Sequence, residues 1–572
     1  MRKSHITTDV CVVGGGMSGL CAAIAAARHG AKVVLMQDRP VLGGNASSEI
    51  RMWICGAHAY RETGLLEEIE LENLYRNPTP NFSIWDSVLY EKARFEKNIQ
   101  LLLNCSCLQA EMDGPAIHTV TGWQMTSETW HTIEAKVFID CSGDGILAPL
   151  TGAEYRIGRE ARSEFNESIE PVDADKKTMG MSCLFQIRET DKKQTFIPPK
   201  WANRYESDED LPFRNHNLDN NFWWIELGGE NDSIHDTEEI RDELLKISFG
   251  VWDHIKNHGD HGADNWVIDW IGFLPGKRES RRYVGDYILT QNDIESGGKF
   301  EDIIAYGGWS MDDHHPAGFD YKNAYPTIFH PAPSPYGIPY RCLYSRNIEN
   351  LMFAGRNIST THAALSSTRI MGTCSLLGQA AGTAAAISVE KGMTPRNVGS
   401  CEISALQTML MEDDCFLPGM PRPVSALTKQ ADKLATQGDT GCLVDGIERA
   451  MGGESHLWEG NVGDSVEYHW DCLQQIYQMR FVFNSHLERK FHNMPCNFKL
   501  NETNYHVPET VIRRFRVEYR DQSGVWAELF QVDNNYQRLV RLDCNVEAVA
   551  VRFTPLETWG AEKAQVFSWE VR

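Results

Sequence analysis

The chain has 572 residues, 42% of them apolar, and a formal net charge of −24, so it exceeds one core and implies about three or four domains. That acidity excludes a nucleic-acid surface, which needs clustered Lys and Arg; no run approaches the roughly eighteen consecutive apolar residues of a membrane span. The 15 cysteines include no C-x-x-C pair, so buried free thiols are expected rather than a disulfide framework, and no metal site is expected. Met1 to Ile6 shows no signal-peptide hydrophobic region, which points to a cytoplasmic protein.

The first elements form a nucleotide-binding βαβ unit. Val10 to Val13 reads as a short buried strand, Gly14-Gly15-Gly16-Met17-Ser18-Gly19 fits G-x-G-x-x-G, and an Ala-rich helix follows to about His29-Gly30. Gly14 permits the tight turn, Gly16 lets backbone approach a pyrophosphate, and Gly19 allows close helix packing, with Ser18 and the free N–H groups of the helix start facing the anion. Lys32 to Met36 supplies the second strand, after which Gln37 and Asp38 stand where a ribose-binding group is expected. The loop from Arg39 through Gly43, Gly44 and Asn45 to Ser47 places glycines and small polar groups beside the pyrophosphate, which suits an extended flavin better than NAD.

With these residues in view the chain resembles the large FAD-dependent oxidoreductase family, with fumarate reductases among its relatives, in which a Glu and a Gly-Gly pair follow the second strand. Gln37 replaces that Glu, and its amide is a weaker acceptor than a carboxylate. Two later blocks resemble further family motifs: Val137 to Gly145, which includes Asp144, and Leu351 to Ser359, where Arg356 follows Gly355 in place of the usual Asp. After the segment Thr360 to Cys374, which carries Arg369 and Thr373, a small-residue helix through Gly378, Ala380-Ala381-Gly382 and Ala384-Ala385-Ala386 to about Lys391 is implied to point its N-terminus at the flavin. The resemblance implies FAD as cofactor, held by these glycines together with Gln37, Asp38, Arg39, Asn45, Ser47, Asp144, Gly355, Arg356, Arg369 and Thr373.

The architecture expected is α/β: a Rossmann-type FAD-binding domain in two stretches (1–150 and 341–420) with an inserted α+β substrate cap (151–340), followed by a C-terminal antiparallel β-sandwich (421–572). The cap, expected to decide substrate identity, holds a helical run near Ile240 to His258 and the Gly276 to Arg282 charge cluster, which resembles a recurrent segment of the family and for which a functional role and internal ion pairing are both open. Leu417 to Pro423 reads as a Pro-rich linker, and the period-two runs Gln478 to Phe483, Val511 to Tyr519 and Ala548 to Phe553 read as sandwich strands. This last region resembles discoidin-like, galactose-binding-like domains, with Trp526 and Trp559 as candidate sugar-stacking residues.

Hydride transfer from a hydroxyl to flavin N5 needs a base, and His58 and His362 are the candidates nearest the flavin motifs, with His315 a weaker one. The reading that follows is FAD-dependent oxidation of a secondary hydroxyl of a carbohydrate or glycoside, with the electron acceptor open. Reduction of an activated alkene, using Arg51 or Arg369 as acid, is the rival chemistry. A non-catalytic glycan-binding protein with a vestigial flavin fold is the third reading.

Overall fold

Val10 to Val13, at most 4% exposed, end strand β1 (Arg2–Val13). They sit in register between Val33 to Met36 of β2 (Val33–Met36) and Val137 to Asp140 of β6 (Thr129–Asp140), both parallel to β1. With β3 (Ile99–Leu102), β4 (Cys105–Asp113), β5 (Ala116–Gln124) and β7 (Leu351–Phe353), the sheet order is β3-β2-β1-β6-β5-β4. The long strand β6 serves two partners: its first half pairs antiparallel with β5, and Phe138 to Asp140 pair in parallel with β7. The ends of β1, β2, β6 and β7 therefore converge at one edge of a mostly parallel sheet, where α/β folds bind ligands. This is the α/β nucleotide-binding fold expected.

Helix α1 (Met17–Arg28) is buried from Met17 to Ala27, as a helix apolar on every side must be. It ends where Gly30 takes φ +92°, a left-handed conformation that costs glycine little. Across it lies α5 (Met371–Lys391), and two glycines set the approach: a Cβ on Gly378 would stand 2.0 Å from the Ser18 carbonyl oxygen, and one on Gly382 2.1 Å from that of Ala22.

The structure describes residues 1–502 and 505–572 in a computed structural model. One compact unit takes Met1–Ala59, Pro80–Leu406 and His492–Asn504; the other takes Tyr60–Thr79, Gln407–Phe491 and Tyr505–Arg572. Within the first unit, the inserted segment builds short antiparallel ladders, such as Phe185–Glu189 on Trp266–Ile271, and a long helix α3 (Thr237–Asn257). Its own core gathers Phe185, Phe222, Trp224, Leu244 and Trp252. Among the described residues no single helix is long and apolar enough to cross a membrane; α4 (His362–Thr368) and α5, bent 94° apart, pass that test only as a pair, and both are largely buried. All 15 cysteines are free thiols.

The second unit is antiparallel. Strands β8 (Asp432–Ala435), β9 (Trp458–Asn461), β10 (Val466–Phe483), β11 (Ile512–Arg520), β12 (Trp526–Val532), β13 (Leu539–Thr558) and β14 (Lys563–Val571) run in the order β9-β14-β10-β13-β11-β12, with β8 on β10. Bulges between His469 and Gln474 and between Ile476 and Gln478 break β10 against β13, and bends of this kind let long strands turn between layers. The enclosed core is aromatic, with Tyr468, Phe481, Phe483, Phe515, Phe553 and Trp569. Leu417 to Pro423, read above as a linker, is packed into this unit: Leu417 and Arg422 are 1% and 4% exposed, and Arg422 is paired with Glu412, Glu448 and Glu570. Helix α2 (Leu65–Arg76) also belongs here, its Glu67 chelated by Arg489 at 2.8 Å and 2.5 Å.

Two consequences are measurable. Gly378→Ala drives a methyl into the α1 backbone and is expected to cost about 1–3 kcal/mol, read as a lower urea midpoint, whereas Ala380→Gly on the same helix costs about 1 kcal/mol at most. The second concerns acid. Burial acts to raise the carboxyls of Glu67 and Glu448, but the attraction of Arg489 for one and of Arg480 and Arg422 for the other outweighs it and holds both at about 2. Folded values below the unfolded 4.5 mean stability that is complete above that value and is lost as pH falls toward 2. Denaturant titration across that window should show the loss, and Glu448→Gln should flatten it.

Candidate functional site

The β1–α1 turn is built around a backbone contact. Gly14 takes φ +101°, and a Cβ there would lie 2.5 Å from the carbonyl of Cys141, at the end of β6. Gly19 does not face the cavity; a Cβ on it would fall 1.8 Å from the Gly14 carbonyl oxygen, so it closes the turn from behind. Gly16 caps α1 without any side-chain hydrogen bond, and the first turn carries no acidic residue. The N–H groups there are left to an anion.

Above this turn lies a groove of about 450 Å³, within the range of small-molecule and cofactor sites. Gly14, Gly16, Ser18, Gln37, Asp38, Arg39, Gly43, Gly44, Asn45, Asp144, Gly355, Arg356 and Arg369, all singled out in the sequence, line it. Ser47 and Thr373 do not. Ser47 is fully buried and donates to the Gly44 carbonyl at 2.7 Å, shaping the Gly43-Gly44 loop from below. Thr373 is buried one turn into α5, and it is Met371 and Cys374 of that helix start that reach the groove. The polar fabric is not self-sufficient: the Nε of Arg369 is buried without a hydrogen-bond partner, and the Nη1 of Arg39 has only the Glu49 carboxylate, at 3.4 Å. Buried orphan donors of this kind call for a polar ligand, and a dinucleotide with two phosphates and a polar ring suits the donor set.

Gln37 acts differently from the ribose ligand expected. Its amide oxygen accepts the Gly15 N–H at 2.7 Å and its amide nitrogen donates to the Val41 carbonyl at 3.2 Å, so it ties the glycine turn to the loop that follows β2. Asp38, largely exposed, is the carboxylate free to reach a hydroxyl.

Beside the groove is a smaller cavity of about 100 Å³ that shares Asn45, Ile50, Lys277, Arg356, Arg369 and Met371 with it. It adds Trp53, Trp223, Cys55, Ser182 and Arg278. Its cations are held from behind. Asp144 binds Arg356 at 2.6 Å and Lys277 at 2.9 Å; burial works against its charge, but those two partners hold its carboxyl well below the usual range. Arg278 donates to Ser182 at 3.0 Å and to the Trp223 carbonyl at 2.9 Å, with Glu226 at 3.4 Å. Arg369 stands 3.5 Å from Asp312. His314 bridges the two outer carboxylates, at 2.6 Å from Glu226 and 3.2 Å from Asp312; burial opposes its protonation, yet these neighbours raise its pKa. The Lys277 to Arg282 cluster thus divides: Lys277 and Arg278 face the cavity, while Arg282 is fully buried with Glu160 and Glu279.

The structure does not bring the expected catalytic groups to this cavity. His58 is exposed and stacked on Trp309 at 4.3 Å. His362 is 2% exposed and enclosed by carboxylates, with Glu279 at 2.9 Å and Asp313 at 3.6 Å. Desolvation disfavours its charge, but these carboxylates raise its pKa far above the ordinary value. Arg51 is clamped between the Phe82 and Trp270 rings at 4.5 Å and 4.6 Å and donates to Gln186 at 2.9 Å; burial pulls its pKa to about 10. It braces the loop and lines neither cavity. His315 stacks on Tyr321. The thiol of Cys55 does line the small cavity, and burial pushes it up to about 12, so it stays protonated. In the second unit, Trp526 lies under Arg552 at 4.0 Å and Trp559 near Arg513 at 4.8 Å, both only part-exposed.

A family model described as FAD dependent oxidoreductase matches residues 9–410. Among curated proteins, the chain is 57% identical over 42 residues to a fumarate reductase (cytochrome) of Shewanella frigidimarina, 7% of each chain. It is 55% identical over 40 residues to the sarcosine oxidase subunit alpha of a Corynebacterium species, 7% of this chain and 4% of that one. These stretches span under a tenth of the relatives' lengths. Among solved structures, the family 32 carbohydrate-binding module of Streptococcus pneumoniae EndoD matches with 13% identity and a TM-score of 0.21, over 26% of this chain and 99% of the module. The family 32 module of C. perfringens NanJ matches with 9% identity and a TM-score of 0.19, over 26% and 97%.

Gly14→Ala tests the groove directly. A Cβ facing the Cys141 backbone at positive φ is expected to weaken FAD binding at least about tenfold, 1.4 kcal/mol, read as loss of visible flavin absorbance relative to protein, while Gly30→Ala, with open space around its Cβ, retains the cofactor.

Proposed function

The chain belongs to the FAD dependent oxidoreductase family, and we propose that it oxidises a secondary hydroxyl of a carbohydrate or glycoside, most readily one that carries a carboxylate. The observation that carries this reading is the composition of the small cavity beside the nucleotide groove: two indoles, Trp53 and Trp223, with Lys277, Arg278, Arg356 and Arg369. Indole faces stack on the apolar face of a sugar ring, and guanidinium forks hold carboxylates and hydroxyl oxygens. The charge balance favours an anion. Four cationic side chains and His314 face three carboxylates, Asp144, Glu226 and Asp312, so the cluster keeps positive charge toward the cavity.

Bound FAD supplies the hydride acceptor at N5. The protein's share is binding, orientation and charge. With His58 and His362 elsewhere, no imidazole or carboxylate is among the described residues of the small cavity, so the hydroxyl proton would pass to solvent water, and the charge developing on the oxygen would be stabilised by the preorganised cations. Arg356 and Lys277, fixed by Asp144, and Arg369, fixed by Asp312, need no reorganisation to do this.

A second reading, reduction of an activated alkene, is favoured by one feature: Arg369 lines both cavities with its Nε unpartnered, where a cationic acid over a substrate would stand. Anaerobic mixing separates the two. Uronic or aldonic acids should bleach oxidised flavin faster than their neutral counterparts, and Arg369→Gln should raise KM for the acid at least about tenfold, the 2–5 kcal/mol scale of an unpaired buried charge bringing it well above that. Reoxidation of reduced flavin by an enoate, with no bleaching by any sugar acid, would replace the first reading by the second.

A further inference from the structure

Away from both cavities, the cap segment gathers three imidazoles and a carboxylate. His254 lies near the C-terminal end of α3, His261 in the turn beyond it, His216 in the loop before Phe222, and Asp208 in a single helical turn capped by Ser207. The imidazole rings of His216 and His254 are 4.9 Å apart, those of His254 and His261 4.8 Å, and those of His216 and His261 5.2 Å. The Oδ1 of Asp208 is 3.0 Å from His254 Nε2 and 3.7 Å from His261 Nε2. Ligand atoms of Asp208, His216 and His254 all lie within 4.8 Å of one another.

From this geometry we propose that Asp208, His216, His254 and His261 form a site for one transition-metal dication of the zinc class, separate from the redox centre.

Three observations argue for it. His254 has its Nδ1 3.0 Å from the Tyr205 carbonyl oxygen, to which only an N–H can donate. That fixes the tautomer and turns the Nε2 lone pair toward Asp208, the same outer hydrogen bond that orients metal-bound imidazoles. An imidazole nitrogen and a carboxylate oxygen 3.0 Å apart are joined either by a proton on Nε2 or by a metal ion. A proton would serve His254 alone, yet the Nε2 atoms of both His216 and His261 are also buried without a hydrogen-bond partner, and a metal at the centre satisfies all three nitrogens at once. Nitrogen-rich donors exclude magnesium and calcium in favour of zinc, cobalt, nickel or copper. A tetrahedral site with bonds near 2.0–2.1 Å places ligand atoms about 3.4 Å apart, between the two Asp208 separations observed.

The ligand atoms of Asp208, His216 and His254 already lie within 4.8 Å of one another, and His261, 3.7 Å from Asp208, would complete the set by a shift of its ring; four protein ligands mark a structural site rather than a catalytic one. None of the four lines the groove or the small cavity. Asp208, with its side chain 74% exposed, gives the ion a path from solvent. The metal would tie the loop carrying Asp208 and His216 to the end of α3.

Elemental analysis of the full-length flavoprotein, purified without metal-affinity steps and then incubated with zinc and desalted, should find close to one zinc per chain. His216→Gln and His261→Gln should each cut that occupancy at least about tenfold, the loss of one of four ligands being on the 10–100-fold scale seen even for outer partners, with flavin content unchanged. Cobalt added to the chelated protein should give tetrahedral ligand-field bands in a difference spectrum, absent in both variants. Chelated protein should also unfold at lower temperature and recover on zinc addition. Zinc below a tenth of an equivalent after loading, or equal zinc in the wild type and both variants, would overturn the site; flavin content in each preparation reports whether a variant has folded.

Discussion

Everything chemical in this protein rests on two backbones meeting with no side chain between them. At Gly14 the β1–α1 turn lies against the Cys141 carbonyl, and that contact fixes the ends of β1 and β6 side by side. At Gly378 and Gly382, α5 lies against the α1 backbone in the same manner. The helix whose free N–H groups receive phosphate and the helix whose start reaches the other part of the groove are thereby set against each other to within an atom's width. A methyl at any of these points moves a helix, and with it a wall of the nucleotide groove. Close packing of this kind has little compressibility, so the groove is held in one shape before any ligand arrives.

The cations of the small cavity follow a related rule. A buried guanidinium alone is costly, and each here is paid for by a carboxylate on its far side: Asp144 behind Arg356 and Lys277, Glu226 behind Arg278, Asp312 behind Arg369. The carboxylates are in turn linked through His314. Such a layer orients the donors without consuming the face they turn to the cavity. His362 belongs to a second buried ion cluster, with Glu279, Arg282 and Glu160, outside both cavities.

The parts legible in the sequence were those governed by local sterics. The glycine turn, the buried strands of the nucleotide fold and the small-residue helix follow from short-range spacing, and so do the alternating strands of the sandwich core. What stayed hidden depends on residues far apart in the chain. His58 and His362 adjoin flavin motifs in sequence, yet one is exposed on Trp309 and the other faces inward. Glu67 finds its partner in Arg489, so the membership of α2 in the second unit is invisible locally. Asp208, His216, His254 and His261 share no ligand spacing; the return of α3 toward the preceding loop assembles them. The clue available beforehand was local composition, with His254, His258 and His261 inside one short polar run.

The two departures from the family pattern are compensated where they occur. A carboxylate at position 37 would accept from the Gly15 N–H but would have no proton for the Val41 carbonyl; the Gln37 amide serves both. It therefore stiffens the glycine turn while Asp38, exposed at the groove, keeps a negative acceptor available. Arg356 places a positive charge where relatives carry a negative one, and Asp144 supplies the counter-charge from the β6 turn at 2.6 Å. The guanidinium so held presents donors to the groove and to the small cavity together, which a carboxylate at the same position cannot do.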